Sequence, residues 1–150
     1  MMMNGFEWDS KGNAYRKRHK LSNGQYCEVR FYKNGSDYET IYYVAFAVAN
    51  KKKNLSGWFA ETRDNNITLK STGRCGLEAL VWCYHAITKF EQGLAEQVSA
   101  SKRKIKLAII GEAHRRFQMY EKALSKKGYC KVFLYGEWSM IKTVKYASAQ

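Results

Sequence analysis

Two glycines, an arginine and a lysine crowd the segment Lys70-Ser71-Thr72-Gly73-Arg74-Cys75-Gly76, just before an apolar run that opens at Leu77. Glycine lets the backbone turn successive N–H groups toward one anion. The first turn of a helix adds free N–H groups and a positive partial charge. Arg74 adds a charged fork of donors. Lys70, Thr72, Gly73, Arg74, Cys75 and Gly76 are therefore the candidate residues for holding a phosphate or pyrophosphate. The same glycines also suit a tight strand-to-helix turn in which close packing is the whole requirement. The segment alone leaves both readings open.

The second source of chemistry is charge. The 150-residue chain carries 26 Lys+Arg against 13 Asp+Glu, a formal net charge of +13. Such a field attracts polyanions at long range and weakens with salt. Cations cluster at Arg16, Lys17, Arg18 and Lys20, at Lys51, Lys52 and Lys53, at Lys102 to Lys104, and at Arg115 and Arg116, with Tyr15, Tyr32, Tyr42, Tyr43 and Trp58 between some of them. Cations on phosphates with aromatics stacked on bases would suit single-stranded nucleic acid. An acidic protein surface is the other anionic partner, which would make the chain an inhibitor or adaptor docking on a nucleic-acid enzyme. No helix-turn-helix, zinc-finger or RNA-recognition signature is present.

The four cysteines, Cys27, Cys75, Cys83 and Cys130, form no CxxC pair. Cys83 and His85 stand two apart in a helical segment, which turns them to different faces, so no metal site is expected. Met1 to Phe6 has neither a basic start nor an apolar run, and no apolar stretch reaches the length of a membrane span. The expectation is a reducing, cytoplasmic setting with free thiols.

These residues need elements to position them. One domain of this length buries a core without disulfides or metal. Met1 to about residue 24 is polar and basic and is expected to be a partly ordered arm, with a turn at Ser22-Asn23-Gly24. Tyr26 to Tyr32, Thr40 to Ala49, Leu55 to Glu61 and Ile67 to Lys70 read as strands of an antiparallel meander. Leu77, Leu80, Val81, Tyr84, Ile87, Phe90 and Leu94 recur at helical spacing, giving a helix that ends near Gln97. Lys106 to Ile110 reads as a short buried strand. A second helix from Glu112 to Lys127 is stopped by Gly128, and Tyr129 to Tyr135 with Trp138 to Lys145 make a closing hairpin. The expected class is α/β (α+β): a mixed, mainly antiparallel sheet with two main helices, in the order β-β-β-β-α-β-α-β-β. The crossover through the first helix requires parallel strands on either side of it, Ile67 to Lys70 and Lys106 to Ile110.

The element order, the segment Lys70 to Gly76, and the run Arg115 to Lys122 followed by Gly128-Tyr129 together resemble the GNAT superfamily of acyl-CoA-dependent N-acyltransferases. In that family a strand leads into a glycine-rich turn that opens a long helix and holds the pyrophosphate of acyl-CoA on its amides. A further strand, a second helix and two strands follow. The resemblance implies acetyl-CoA or another acyl-CoA as the bound group, with Tyr120 matching the tyrosine that protonates the departing thiolate. Glu61, at a strand end beside the implied cleft, is the candidate base for the acceptor amine. A core aromatic at Tyr120 and a solvated carboxylate at Glu61 are the plainer readings of those two residues. The family also places acceptor-shaping helices after its first strand, and Lys33 to Glu39 is too short to hold them.

Overall fold

The computed structural model describes residues 2–3, 5–35, 39–51, 76–100, 104–110, 121–134 and 137–144. Among these, eight strands form one sheet: β1 (Met2–Met3), β2 (Phe6–Asp9), β3 (Ala14–Lys20), β4 (Tyr26–Gly35), β5 (Glu39–Ala49), β6 (Lys104–Ile110), β7 (Cys130–Leu134) and β8 (Glu137–Thr143). Their spatial order is β1-β2-β3-β4-β5-β6-β8-β7. A long helix, α1 (Gly76–Ala100), lies between β5 and β6 in sequence. A helical segment, α2 (121–125), precedes β7. The structure is thus α+β with a mixed, mainly antiparallel sheet.

β4 and β5 form because they alternate and are rich in β-branched and aromatic residues. Their antiparallel ladder runs from Tyr26↔Ala49 to Gly35↔Thr40. Alternation sends Cys27, Val29 and Phe31 of β4, with Tyr42, Val44, Phe46 and Val48 of β5, to the face that α1 covers. Phe90 of α1 is the hub there. Its ring stacks on Phe31 with centroids 3.8 Å apart and meets Phe6, Tyr15 and Tyr42 at 5.3, 5.5 and 5.2 Å. Leu124 of α2 and Tyr129 belong to the same cluster, so both helices serve one face of the sheet.

Several expectations need correction. The first 24 residues are not a partly ordered arm where they are described: β2 and β3 are full members of the sheet, and Phe6 and Ala14 are completely buried. The basic run conceals the strand because alternate residues of β3 serve different faces, Tyr15 beneath α1 and Ala14 on the other side. The parallel partner of β6 is β5, from Glu39↔Lys104 to Val44↔Ile109. The crossover through α1 therefore begins at β5, not at Ile67 to Lys70. The stripe of α1 is also shifted. Val81 is 47% exposed, while Ala79, Cys83, Ala86, Ile87, Phe90 and Leu94 are buried. The aromatic side chains of the sheet fill the space beneath the helix, so small residues occupy part of its inner face.

The expected strands Leu55 to Glu61 and Ile67 to Lys70, and the second helix before residue 121, lie outside the described residues. The end of α2 is as expected. Gly128 sits at φ 92°, and Tyr129 N–H donates to the Leu124 carbonyl at 3.2 Å while Gly128 N–H reaches Ser125 at 3.4 Å. This paired closure is the Schellman arrangement that a left-handed glycine permits. The turn at Ser22-Asn23-Gly24 also forms, with Gly24 at φ 92°.

Candidate functional site

The seam between β5 and β6 organises the site. The described ladder runs to Val44↔Ile109, where the described part of β6 ends one residue later, and β5 runs on through Ala45, Ala47 and Ala49. In that stretch β5 is paired with β4 alone among the described strands. Backbone N–H and C=O groups on its β6 side therefore lie outside any described ladder, and buried groups of this kind require partners. α1 begins at the same end. Glu78, in its first turn, accepts from the Ser22 hydroxyl at 2.7 Å and from the Ser22 N–H at 3.2 Å. Ser22 lies in the β3–β4 turn, next to the Lys20↔Tyr26 pair, and Tyr26 is opposite Ala49. The last residues of β5 and the first turn of the helix thus share one end of the sheet. Ligands of sheets with parallel strands collect at such carboxyl ends.

The face of the sheet opposite the helices carries polar groups here. Glu28 is completely buried, and Arg18 grips one of its oxygens through Nε at 2.7 Å and Nη2 at 2.6 Å. Arg30 holds the other oxygen through Nε at 2.6 Å and lies 3.9 Å from Asp9. Burial pulls the Arg30 guanidinium down, and the Glu28 carboxylate more than reverses this, leaving it above its ordinary value. Burial also raises the Tyr32 hydroxyl, against the opposing pull of Arg30. Ala45 and Ala47 share this face with Arg30 and Glu28, so the alanine row is walled by a charged clamp on one side. Farther along the sheet, the Ser139 hydroxyl is buried with no hydrogen-bond partner among the described residues.

The helical face is mainly apolar. Burial, with Cys83, Glu78 and Glu28 adding to it, pushes the Cys27 thiol up to about 12. Burial, with Tyr15 adding, pushes Tyr42 up to about 12. Glu91 of α1 accepts from Tyr129 Oη at 3.2 Å and from Lys142 Nζ. Lys142 also donates to the Lys127 carbonyl at 2.6 Å, joining α1, β8 and the end of α2.

The sequence-derived site residues fall into two groups. Arg16, Lys17, Arg18 and Lys20 all stand on β3, but alternation divides them between the two faces. Arg16 pairs with Glu7 at 3.1 Å, and Arg18 is committed to Glu28. Lys17 stands 5.4 Å above the Phe6 ring and Lys20 stands 5.9 Å above the Tyr26 ring. His19 stacks on Trp82 at 5.2 Å. Lys51 is exposed just past β5. Gly76 is the first described residue of α1. Glu61, Lys70, Thr72, Gly73, Arg74, Cys75 and Tyr120, with Lys52, Lys53, Arg115 and Arg116, lie outside the described residues.

Glu28, Arg30 and Ser139 were not among the sequence candidates. A glutamate between Cys27 and Val29 in a strand was the available signal, since alternation alone assigns it to the second face. Among the described residues, no group of three His, Cys, Asp or Glu side chains could hold a metal ion. No helix of the described residues is long and apolar enough to cross a membrane. No family model, curated protein or solved structure matches the chain.

Proposed function

We propose that the chain is a GNAT-like N-acyltransferase that binds acetyl-CoA or another acyl-CoA at the carboxyl end of the parallel β5–β6 pair. The observation that carries this reading is the parallel β5–β6 pair bridged by α1, with the first turn of α1 at the same end of the sheet as the last residues of β5. The strand order supports it: a parallel pair bridged by a long helix, then a second helix and a hairpin. Backbone groups along Ala45 to Ala49 fit an acyl-pantetheine chain, which needs main-chain donors and acceptors and little side-chain bulk.

In this reading the glycine turn Lys70 to Gly76 holds the pyrophosphate. A β5 N–H polarises the thioester carbonyl, stabilising the oxyanion formed on attack. Acyl-CoA supplies the activated acyl group. Glu61 accepts the proton of the acceptor amine, and Tyr120 donates one to the thiolate. The cations of β3 give less support to a nucleic-acid function, because they are spread over both faces and are engaged by carboxylates or rings.

Thermal melting with acetyl-CoA tests the proposal. Ligand at about one hundred times its dissociation constant adds about 2.7 kcal/mol. For a chain of this size that is a rise of roughly 5–11 °C. Gly73→Val should abolish the rise. The absence of any shift at millimolar acetyl-CoA, alongside salt-sensitive stabilisation by short oligonucleotides, would replace this reading with a nucleic-acid-binding one.

A further inference from the structure

Two aromatic rings of the β7–β8 hairpin stand open to solvent on the side of the sheet that the helices cover. Lys131↔Met140 and Phe133↔Trp138 are register pairs, and Met140 belongs to the core beneath the helices. Alternation therefore turns Lys131, Phe133 and Trp138 to that face and Val132 to the other. Phe133 is 56% exposed and Trp138 49%, with ring centroids 5.1 Å apart and planes at 68°. The Lys131 ammonium stands 4.9 Å from the centre of the Trp138 ring.

Cations continue from there along α2. Lys131 lies 3.4 Å from Glu121, which sets the start of α2 beside the rings, and Leu124 and Tyr129 hold the rest of it over the same face. Lys122, Lys126 and Lys127 are exposed, and among the described residues no carboxylate pairs with them. The chain reverses at Gly128, so Lys126 and Lys127 stand at the base of the strand whose far end carries Phe133. At about 3.3 Å per residue, Gly128 to Phe133 spans roughly 17 Å. The β3 cations are engaged by carboxylates or rings, whereas these three lysines are not.

We propose that this strip binds single-stranded nucleic acid, with bases stacked on Phe133 and Trp138 and phosphates held by Lys122, Lys126 and Lys127. Every base has a flat face to lay on an open ring, and cations beside the rings track the backbone. The strip covers about five stacked nucleotides at about 3.4 Å each. The net charge of +13 draws a polyanion toward the protein. An anionic membrane fits the patch less well. Lys131 is held against the Trp138 ring, so seating the rings among acyl chains would carry a charge in with them. The hairpin's exposed aliphatic residue, Val132, faces the other way. None of the residues assigned to acyl-CoA takes part, so the two sites are separable.

Fluorescence anisotropy of the full chain with a labelled oligothymidine of roughly eight nucleotides tests the proposal, from roughly 50 to 200 mM salt. The parent should bind, more weakly as salt rises. An abasic strand of the same length should bind the parent at least about 5-fold less well, since it has no bases to stack. Phe133→Leu with Trp138→Leu keeps apolar bulk and removes the flat faces, and should also weaken oligothymidine binding at least about 5-fold. Lys126→Gln with Lys127→Gln should make the slope of log affinity against log salt shallower by about 1.4, at about 0.7 for each phosphate contact. No binding at roughly 50 mM salt overturns the proposal. Equal affinity for the abasic strand, parent-like binding by the leucine variant, or an unchanged salt slope in the glutamine variant also overturns it. Capture of the protein on phosphatidylserine vesicles without oligothymidine binding overturns it in favour of a lipid surface.

Discussion

Removing the Glu28 carboxylate is expected to be among the more damaging single changes in this protein. The group is completely buried and accepts three charge-assisted hydrogen bonds of 2.6–2.7 Å from Arg18 and Arg30. In Glu28→Ala both guanidinium groups lose that partner. Breaking a buried pair in this way typically costs about 3–5 kcal/mol. Arg18 is 31% exposed at its side chain and can turn to water, and Arg30 keeps Asp9 at 3.9 Å. The lower end of the range therefore applies, about 3 kcal/mol, or a midpoint drop of roughly 6–12 °C. Urea unfolding followed by circular dichroism measures it, with an unchanged slope as the check that the unfolded state is the same. A triple change to apolar residues, Arg18→Met with Glu28→Leu and Arg30→Met, should recover most of the loss, because it removes all three charges together. A cost for Glu28→Ala below about 1 kcal/mol, the range of a solvent-screened pair, would refute the assignment of Glu28 as a buried anchor.

Phe90→Ala removes the ring on which Phe31, Phe6, Tyr15 and Tyr42 converge and should cost about 3–5 kcal/mol in the same urea experiment. Gly128→Ala should cost about 1–2 kcal/mol. The nearest atom to an added Cβ is Lys142 Cε at 3.6 Å, so the penalty comes from the φ of 92° rather than from a clash. Cys27 should make stability fall in alkali: its folded thiol titrates near 12 against an ordinary 9.0, so the unfolded chain loses its proton first. That contribution is fully present below pH 9 and disappears as pH rises toward 12, which pH-dependent unfolding of the parent and Cys27→Ala would reveal as a difference in slope. At pH 8, mass-spectrometric mapping after alkylation should find Cys130 labelled and Cys27 and Cys83 protected, because only the first is exposed.

The strands β4 and β5, the helix α1 and the closing hairpin were legible because their patterns are long and regular. β3 was not, because Arg16-Lys17-Arg18-His19-Lys20 hides a period of two behind uniform polarity. Its packing becomes visible only when Lys17 is seen above Phe6 and His19 on Trp82. The parallel partner of β6 was misassigned because a connection of a dozen or more residues allows several earlier strands to fill that role. Of the candidate site, the helix that follows the glycine segment was readable from its apolar spacing. The β5–β6 seam was not, since which distant strands pair is a tertiary property.

Each side of that seam is built from one contiguous stretch of the chain. β1 to β5 form one antiparallel ribbon before residue 50, and β6, β8 and β7 form another after residue 103. During synthesis the first ribbon is complete long before the second exists, yet its aromatic underside stays bare until α1 delivers Phe90. Nascent chains halted between these stages would display the rings of Phe6, Phe31 and Tyr42 to their surroundings. The interval between finishing the ribbon and docking the helix is therefore when this polypeptide is most exposed to aggregation.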